Sequence, residues 1–332
     1  RSALLVSQRT KFADSAGKKV RDVEWFRKES GGAPANVAIG LARLGRRVGL
    51  MCKVGDDEFG KFLVAHLERE GVDTRGVSST DEAKTGVAFI SLDEQGDRSF
   101  MFFRAPSADM TFRTEDVSIE TIERSQIMIC GSNLLTVPEL RAATHHALDA
   151  ASRSERFIAV DPNIRRHLWE DQAECRREVL RLLEWADLVK LNDEEVEFLA
   201  GGSIGADSFF EQICRPRGVH TLVHTQAEDG AHVYRESIDI SVPAPKVQVV
   251  DTTGAGDGFL AGLIAGICAM HEGEGVMTAA GLRADLDAWD ERAWRHILSL
   301  ACFVGTRVCT ELGATRALPH YDDVPWGSLG FE

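Results

Sequence analysis

The stretch VVDTTGAGDGF, Val249–Phe259, places three glycines and two aspartates immediately before a long apolar run that has the character of a helix. Small residues at Gly254, Ala255 and Gly256 let a ligand approach the backbone closely. The unpaired N–H groups of a first helical turn point outward at the positive end of the helix dipole. The stretch therefore predicts an anion hole at a turn between a strand and a helix.

Asp257 lies within this turn, among N–H groups that favour the carboxylate form, so we expect it to stay ionised. A carboxylate beside an anion hole suits phosphoryl transfer, because a base takes the proton of the attacking hydroxyl while backbone donors stabilise the transferred group. The alternative is structural, with Asp257 as the cap of a glycine-rich turn. The spacing alone does not decide between them. A Walker-type loop, a dinucleotide fingerprint near the N-terminus and a G-x-S-x-G elbow are all absent from the sequence.

Strand-like apolar runs alternate with helix-like amphipathic runs along most of the chain. The segment GAPANVAIGLARLG, residues 32–45, has a proline at a helix start and a glycine at its end. Later strands are predicted at QIMICG, RFIAVD, DLVKL and HTLVHT, with helices at Glu174–Trp185, Glu194–Ala200 and Ser208–Cys214. This order predicts an α/β fold: a doubly wound, mostly parallel sheet with helices on both faces.

One segment departs from this alternation. TGVAFISLDEQGDRSFMFFR, residues 85–104, consists of two period-two runs joined by a polar turn, which is typical of a β-hairpin. With the stretch around Lys18–Arg27 it predicts a small β lid over the main domain. We assign residues 1–9, 31–83 and 112–332 to the core and residues 10–30 and 84–111 to the lid. The acidic stretch His271–Asp290 is predicted to be a solvated excursion between two helices.

Composition narrows the function classes. The chain has 332 residues, a formal net charge of −14 and no long run of Lys or Arg, which argues against nucleic-acid binding. The longest apolar run, Gly258–Met270, is shorter than the roughly 20 residues that span a bilayer, so no membrane association is expected. Seven scattered cysteines predict a reducing, cytoplasmic location, and the ten histidines show no metal-binding motif.

The N-terminus carries no recognisable targeting signal. The segment RSALLVSQR has too short an apolar core for a signal peptide, and the chain begins with Arg1 rather than Met. We therefore expect either that residues precede Arg1 or that the chain has been processed.

The motifs together resemble those of the ribokinase-like (PfkB) carbohydrate kinases. DTTGAGDGF resembles the C-terminal signature of this family, and GGAPANVAIGLARLG with VGDDEFG resembles the N-terminal signature. SFMFFRAPSAD, DPNIR, LNDEEVEFL and ELGATRALP follow in the family's order. The resemblance implies a doubly wound domain with a β lid that transfers the γ-phosphoryl of ATP to a sugar hydroxymethyl group, with Mg²⁺ and a monovalent cation such as K⁺ as cofactors.

The resemblance also implies roles for individual residues. Asp257 would be the catalytic base, Gly254, Ala255 and Gly256 the anion hole, and Arg165 a further basic group at the phosphate or substrate. Sugar contacts would come from Gly32, Asn36, Arg104 and Ser7. The nucleotide would contact Asn192, Thr225, Gly230, Gly254, Gly256 and Cys302. Asn192 and Glu195 would organise magnesium through water, and Asp251 and Thr253 would lie at a monovalent-cation loop.

Several of these residues have structural alternatives. Asn36 could cap the first helical turn, Arg104 could be a charge that protects an edge strand, and Arg165 could form a surface ion pair. The N-x-x-E pair of Asn192 and Glu195 could simply begin a helix.

The main departure from the family pattern lies in the first strand. SALLVS places Ser7 where the family has a sugar-binding Asp, and a serine hydroxyl cannot accept two hydroxyl bonds as a carboxylate can. If Ser7 is not equivalent, another acid such as Asp14 would bind the sugar, or the true first strand precedes Arg1. Gln226 and Cys302 also replace the family's usual Gly and Asn.

The segment FMFFRAPSADM is closer to fructokinases than to ribokinases, so fructose is the expected sugar. A 2-keto-3-deoxygluconate kinase is the main alternative, with Arg104 and Arg165 binding the acid group. Nucleoside kinases are disfavoured because the lid has no aromatic cluster for a base. A catalytically weak binding or regulatory protein is the alternative of another class; a nicotinamide-dependent oxidoreductase has no supporting motif. Exposed lid strands predict a homodimer formed through the lid.

Overall fold

The computed structural model describes residues 2–7, 20–22, 26–92, 98–103, 106–236, 238–271 and 278–331. The strands are β1 (Ser2–Ser7), β2 (Phe26–Ser30), β3 (Cys52–Gly55), β4 (Val77–Thr80), β5 (Gly86–Leu92), β6 (Arg98–Phe103), β7 (Ile127–Cys130), β8 (Phe157–Val160), β9 (Leu188–Asn192), β10 (Thr221–Thr225), β11 (Ala231–Arg235) and β12 (Ile238–Val242). The helices are α1 (Ala33–Arg43), α2 (Glu58–Arg69), α3 (Ile119–Arg124), α4 (Pro138–Arg153), α5 (Gln172–Leu182), α6 (Asp193–Ala200), α7 (Ala206–Phe209), α8 (Ala255–Met270), α9 (Ala279–Ala288) and α10 (Glu291–Val308).

The largest sheet has six strands in the order β12-β11-β10-β9-β8-β7. Strands β7 to β10 are parallel, and β11 and β12 are antiparallel additions. Alternate residues of β8 enter different cores: Phe157 and Ala159 pack with α1, α8 and α10, whereas Ile158 and Val160 pack with α4 and α5. Period-two alternation thus gives the sheet two apolar faces, each covered by helices, which confirms the predicted fold class.

A second sheet contains the predicted hairpin. Its order is β2-β1-β5-β6, with β5 and β6 antiparallel. The assignment of residues 1–9 to the core is wrong for residues 2–7, because β1 pairs antiparallel with β2 and parallel with β5 in this small sheet. These two neighbours satisfy both edges of β1, so its backbone has no need of a core partner. That this sheet acts as a lid stays a prediction.

The remaining two strands, β3 and β4, form a separate parallel pair. The strands predicted from sequence at QIMICG, RFIAVD, DLVKL and HTLVHT correspond to β7, β8, β9 and β10, which confirms them. The prediction that His271–Asp290 is a solvated excursion between two helices is wrong for the second half of this stretch. Helix α9 forms there and buries Leu282 and Leu286 against the core, although its apolar positions are too few for a clear periodic signal.

All seven cysteines lie in the described part of the chain and none is in a disulfide. Burial raises the pKa of the Cys130 and Cys302 thiols to about 12. Within the described ranges, no helix is long and apolar enough to cross a bilayer.

Candidate active site

Helix α8 begins at the glycine-rich turn. Gly254 caps the helix with a φ of +82°, a left-handed conformation that favours glycine. A Cβ at Gly254 would lie 2.6 Å from the Cβ of Ala314, so the C-terminal ELGATRALP segment packs directly against the turn. Asp257 is in the first turn of α8 rather than at its cap, so the alternative of a capping role is not supported.

The Asp257 carboxylate is buried and is held by two amides. Asn36 Nδ2 donates to Asp257 Oδ2 at 2.7 Å, and Asn163 Nδ2 lies 3.5 Å from Oδ1. Asn36 therefore reaches the acid from α1 instead of capping its own helix. Burial raises the pKa of Asp257, although the bond from Asn36 opposes this shift. The net shift is upward because desolvation outweighs the contacts that lower the pKa, and ionisation of Asp257 stays a prediction.

A buried ion pair lies beneath the same turn. Lys190 Nζ donates to Asp161 Oδ2 at 3.0 Å, and both side chains are buried. A Cβ at Gly256 would lie 3.5 Å from Lys190 Nζ, so the ammonium faces the anion hole. Burial would lower the pKa of Lys190, but the charges of Asp161, Glu195 and Asp257 outweigh it and raise that pKa.

Sequence reasoning missed Lys190, Asp161 and Asn163. A signal for Lys190 was present, since a lysine inside an apolar strand that is covered on both faces needs a paired acid. Asp161 and Asn163 belong to the DPNIR motif, of which only Arg165 was selected. Asn163 has a φ of +46°, which positions its amide toward Asp257.

Asn192 and Glu195 form a capping box at the start of α6. Asn192 Oδ1 accepts from the Glu195 N–H at 2.9 Å, and Glu195 Oε2 accepts from the Asn192 N–H at 3.1 Å. Glu195 Oε1 also accepts from the Ile164 N–H at 2.7 Å. Burial, followed by the charge of Asp161, raises the pKa of Glu195. The helix-start alternative is therefore confirmed as a structural role, while the magnesium role stays a prediction.

Two of the predicted nucleotide residues, Asn192 and Thr225, lie at the carboxyl ends of neighbouring strands. Thr225 ends β10 and is paired in register with Asn192 at the end of β9. Gly230 has a φ of +102°, and a Cβ there would lie 2.0 Å from the Val242 carbonyl oxygen, so backbone packing by itself requires glycine. Cys302 lies on α10, buried, with its Sγ 3.9 Å from the same carbonyl oxygen.

The other predicted residues surround the turn. Gly32 caps α1 with a φ of +109°. Arg165 is exposed at the cleft, its charge acts to lower the pKa of Asp257, and no ion pair for it is seen in the described part of the chain. Asp251 ties two loops together, since Oδ1 accepts from the Thr253 N–H at 2.8 Å and Oδ2 from the Gly313 N–H at 2.9 Å.

One cleft collects most of these residues. Its lining includes Gly32, Asn36, Arg165, Asn192, Glu195, Thr225, Gly230, Thr253, Gly254, Ala255, Gly256, Asp257 and Cys302. Arg104 and Asp14 lie outside the described residues. Ser7 ends β1 and its backbone pairs with Phe26 of β2, and its role in sugar binding stays a prediction.

The donor set fits a magnesium ion that keeps much of its water. No group of three His, Cys, Asp or Glu side chains in the described ranges could bind a metal directly. Both carboxylate oxygens of Glu195 already accept hydrogen bonds from backbone N–H groups. Asp161 is paired with Lys190 through Oδ2, while its Oδ1 is buried without a partner among the described residues. Such acids suit contact through water, as Mg²⁺ bound mainly to phosphates prefers.

Comparison with known proteins agrees with this geometry. The model of the "pfkB family carbohydrate kinase" matches residues 5–320. The chain belongs to this family. Among curated relatives, "Probable fructokinase-4" of Arabidopsis thaliana is 35% identical over 309 residues, which cover 93% of this chain and 90% of that protein.

Solved structures of sugar kinases share the fold. The structure of fructokinase with bound ATP from Xylella fastidiosa is 30% identical, with a TM-score of 0.85 over 99% of this chain and 95% of that chain. Fructokinase from Vibrio cholerae O395, in its fructose-, ADP- and calcium-bound form, is 28% identical, with a TM-score of 0.76 over 96% and 94% of the two chains. The protein is thus a pfkB-family carbohydrate kinase with the nucleotide-dependent chemistry that this family performs.

Proposed function

We propose that this carbohydrate kinase transfers the γ-phosphoryl group of ATP to the hydroxymethyl group of fructose, giving fructose 6-phosphate. The observation that carries the proposal is the buried Asp257 carboxylate at the first turn of α8, beside backbone N–H groups that have no helical acceptor. A base and an anion site are thereby adjacent, as phosphoryl transfer requires.

Asp257 is the proposed general base. Its raised pKa makes the carboxylate a stronger proton acceptor than an ordinary aspartate, which favours removal of a hydroxyl proton near neutral pH. Asn36 and Asn163 orient the two carboxylate oxygens, so that the acid presents a defined lone pair to the acceptor hydroxyl. The anion hole at Gly254–Gly256 then stabilises charge on the transferred group, and Arg165 is exposed at the cleft to add a further positive charge.

Cofactor roles follow from the same residues. We assign Asn192 and Glu195 to the water shell of a magnesium ion, which when bound neutralises charge on the nucleotide phosphates. Thr225, Gly230 and Cys302 are assigned to the nucleotide. The loop containing Asp251 and Thr253 is assigned to a monovalent cation such as K⁺, which would act by rigidifying the start of the anion hole.

Fructose is favoured over other sugars by the fructokinase relatives and by the FMFFRAPSAD segment. A 2-keto-3-deoxygluconate kinase is the second candidate, because the exposed Arg165 guanidinium at the cleft could bind that substrate's carboxylate.

The test is a coupled ATPase assay with fructose, 2-keto-3-deoxygluconate, ribose and adenosine, run on the wild type and on Asp257→Asn. We expect turnover with fructose at the highest kcat/KM. Asp257→Asn keeps the shape of the side chain but cannot accept the proton, so kcat should fall about 10²–10⁴-fold while ATP affinity stays nearly unchanged. Asp322→Asn, a change at an exposed residue that does not line the cleft, is the matched control.

Retention of more than a tenth of kcat by Asp257→Asn would reject the base assignment. Preference for the keto acid would reject fructose. ATP binding without turnover on any sugar would favour the binding or regulatory protein.

A further inference from the structure

Arg43, the last residue of α1, donates hydrogen bonds to two separate parts of the chain. Its Nε and Nη2 donate to the two carboxylate oxygens of Glu70, directly after α2, at 2.7 and 2.8 Å. Its Nη1 donates to the backbone carbonyls of Thr315 and Leu318 at 2.7 and 3.0 Å. The side chain is only 13% exposed, so these bonds are largely shielded from water. A planar guanidinium can bind both groups at once because its donors point in fixed directions.

The two carbonyls belong to residues 313–318, which we call the support segment. This segment packs on the start of α8. A Cβ at Gly254 would lie 2.6 Å from the Cβ and 2.9 Å from the carbonyl oxygen of Ala314. A Cβ at Gly258 would lie 3.5 Å from Leu318 Cδ2. The support segment therefore contacts α8 at the first residue of the anion hole and again directly after the proposed base.

Helix α1 contacts the start of α8 at two further points. Asn36 donates to Asp257 near the N-terminal end of α1. One turn later, a Cβ at Gly40 would lie 2.7 Å from the Cβ of Ala261, so the two helices are in close contact. Arg43 then binds the support segment at the C-terminal end of α1. The first turn of α8 thus lies against both α1 and the support segment, and Arg43 joins these two supports.

Glu70 is on the other side of the guanidinium. The hydrogen bond from Arg43 lowers the pKa of Glu70, so the pair stays charged. Loss of the Glu70 charge would cost stability, because a largely buried cation would lack its counter-ion. It would leave the Arg43 bonds to the support segment in place. The two contacts of Arg43 can therefore be tested separately.

We propose that Arg43 is a positioning residue for phosphoryl transfer: it holds the support segment against α8 and so fixes the first turn of that helix where the transfer requires it. A displacement of about 1 Å at a reacting centre can lower a rate about a hundredfold, so a residue that does not touch the substrate can affect the rate. The inference rests on the proposed roles of Asp257 and Gly254–Gly256 and does not depend on which sugar is the acceptor.

The test compares Arg43→Met, which removes both contacts, with Glu70→Gln, which keeps the donors to the support segment. The sugar is whichever of fructose, 2-keto-3-deoxygluconate, ribose and adenosine the wild type turns over fastest. Urea unfolding first establishes conditions in which both variants are fully folded. There, Arg43→Met should lower kcat about tenfold to a hundredfold with the KM for ATP changed less than about threefold, and Glu70→Gln should keep kcat within about twofold. Equal kcat values in the two variants would overturn the inference.

Hydrogen exchange gives a readout that needs no turnover and that a loss of global stability would not produce. The Gly258 N–H donates to the Gly254 carbonyl at 2.8 Å and closes the first turn of α8, whereas Ile264 lies in the middle of the helix. Arg43→Met should accelerate exchange at Gly258 at least about tenfold more than at Ile264, while Glu70→Gln should affect both amides alike. Equal acceleration at both amides in Arg43→Met would show a merely structural role and contradict the proposal.

Arg43→Lys takes the place of Arg43→Met if that variant does not fold. One ammonium nitrogen cannot occupy the positions of Nη1 and of the Nε–Nη2 pair together, so the same losses of kcat and of Gly258 protection are expected. Wild-type values of both in the lysine variant would refute the inference. Failure of the proposed function looks different: the wild type turns over no sugar, or Asp257→Asn retains turnover, and the exchange comparison at Gly258 still decides the role of Arg43.

Discussion

At the scale of single residues, buried charge determines how the site works. Lys190 stands between Asp161, Glu195 and Asp257 as the one cation buried among three carboxylates in the described part of the site. Removal of one partner from a buried ion pair leaves uncompensated charge, which is more costly than the pair itself. We therefore expect Lys190 to act as a positioning residue, because its charge lowers the pKa of Asp257 and so favours the ionised form that can accept a proton.

Lys190→Met should shift the pH dependence of the kinase reaction. The variant loses a charge that lowers the pKa of Asp257, so this pKa rises further and the acid limb of kcat against pH moves to higher pH. The rate at neutral pH falls and is partly restored by raising the pH. Lys61→Met removes an exposed lysine on α2 and should leave the profile unchanged. A lower kcat with an unmoved acid limb would instead indicate a purely structural role.

At the scale of elements, the start of α8 depends on a backbone conformation that glycine adopts with less strain than any other residue. Gly254 combines a left-handed φ with direct contact to Ala314, which joins α8 to the segment that follows α10. The N-terminus of α1 is tied to the same turn through Asn36. Three separate parts of the chain therefore meet at one helical turn.

Gly254→Ala should lower both stability and activity. The left-handed φ costs roughly 1 kcal/mol for a residue with a Cβ, and the overlap with Ala314 raises the total to about 2–4 kcal/mol. Gly71→Ala is the matched control, since its φ of +79° is similar and no atom lies within 4 Å of its Cβ position. Urea unfolding measures the free energy of unfolding of both variants. Equal losses of this free energy would show that the structure around Ala314 relaxes to accommodate the added Cβ.

At the scale of the whole molecule, the small sheet offers a surface for self-association. Strand β6 is an edge strand, and Phe103 and Met101 on it are 59% and 40% exposed, which is unusual for large apolar side chains. Phe103 also contacts Phe89 of β5, so the ring is held in place rather than free in solvent. These features support the predicted homodimer through the lid.

Phe103→Glu should weaken this dimer. The change places a charge on the apolar edge, so sedimentation at micromolar concentration should shift from dimer toward monomer. Ile204→Glu, at an exposed position after α6, should have no such effect. A wild-type chain that sediments as a monomer would contradict the dimer altogether.

The amino-acid sequence by itself determined the order of the elements, the fold class and the residues of the α8 turn. Hydrophobic period, helix caps and turn residues are local properties, and they identify β7 to β10, α1 and the hairpin without knowledge of their partners. The DTTGAGDGF and GGAPAN motifs likewise place Asp257 and Asn36 in one site, because in this family they occur together.

Only the tertiary structure decided the pairings and the electrostatics. The pattern of SALLVS predicts a strand but does not indicate which sheet the strand joins. In the structure, pairing with β2 and β5 determines its sheet and its register. The pKa of Asp257 is raised by burial in the folded chain, and the hydrogen bond that opposes this shift comes from Asn36, more than 200 residues away in sequence. The ion pair between Lys190 and Asp161 forms because β9 lies parallel to β8, which brings these two side chains together. The two residues are far apart in sequence, so no local sequence pattern predicts their contact.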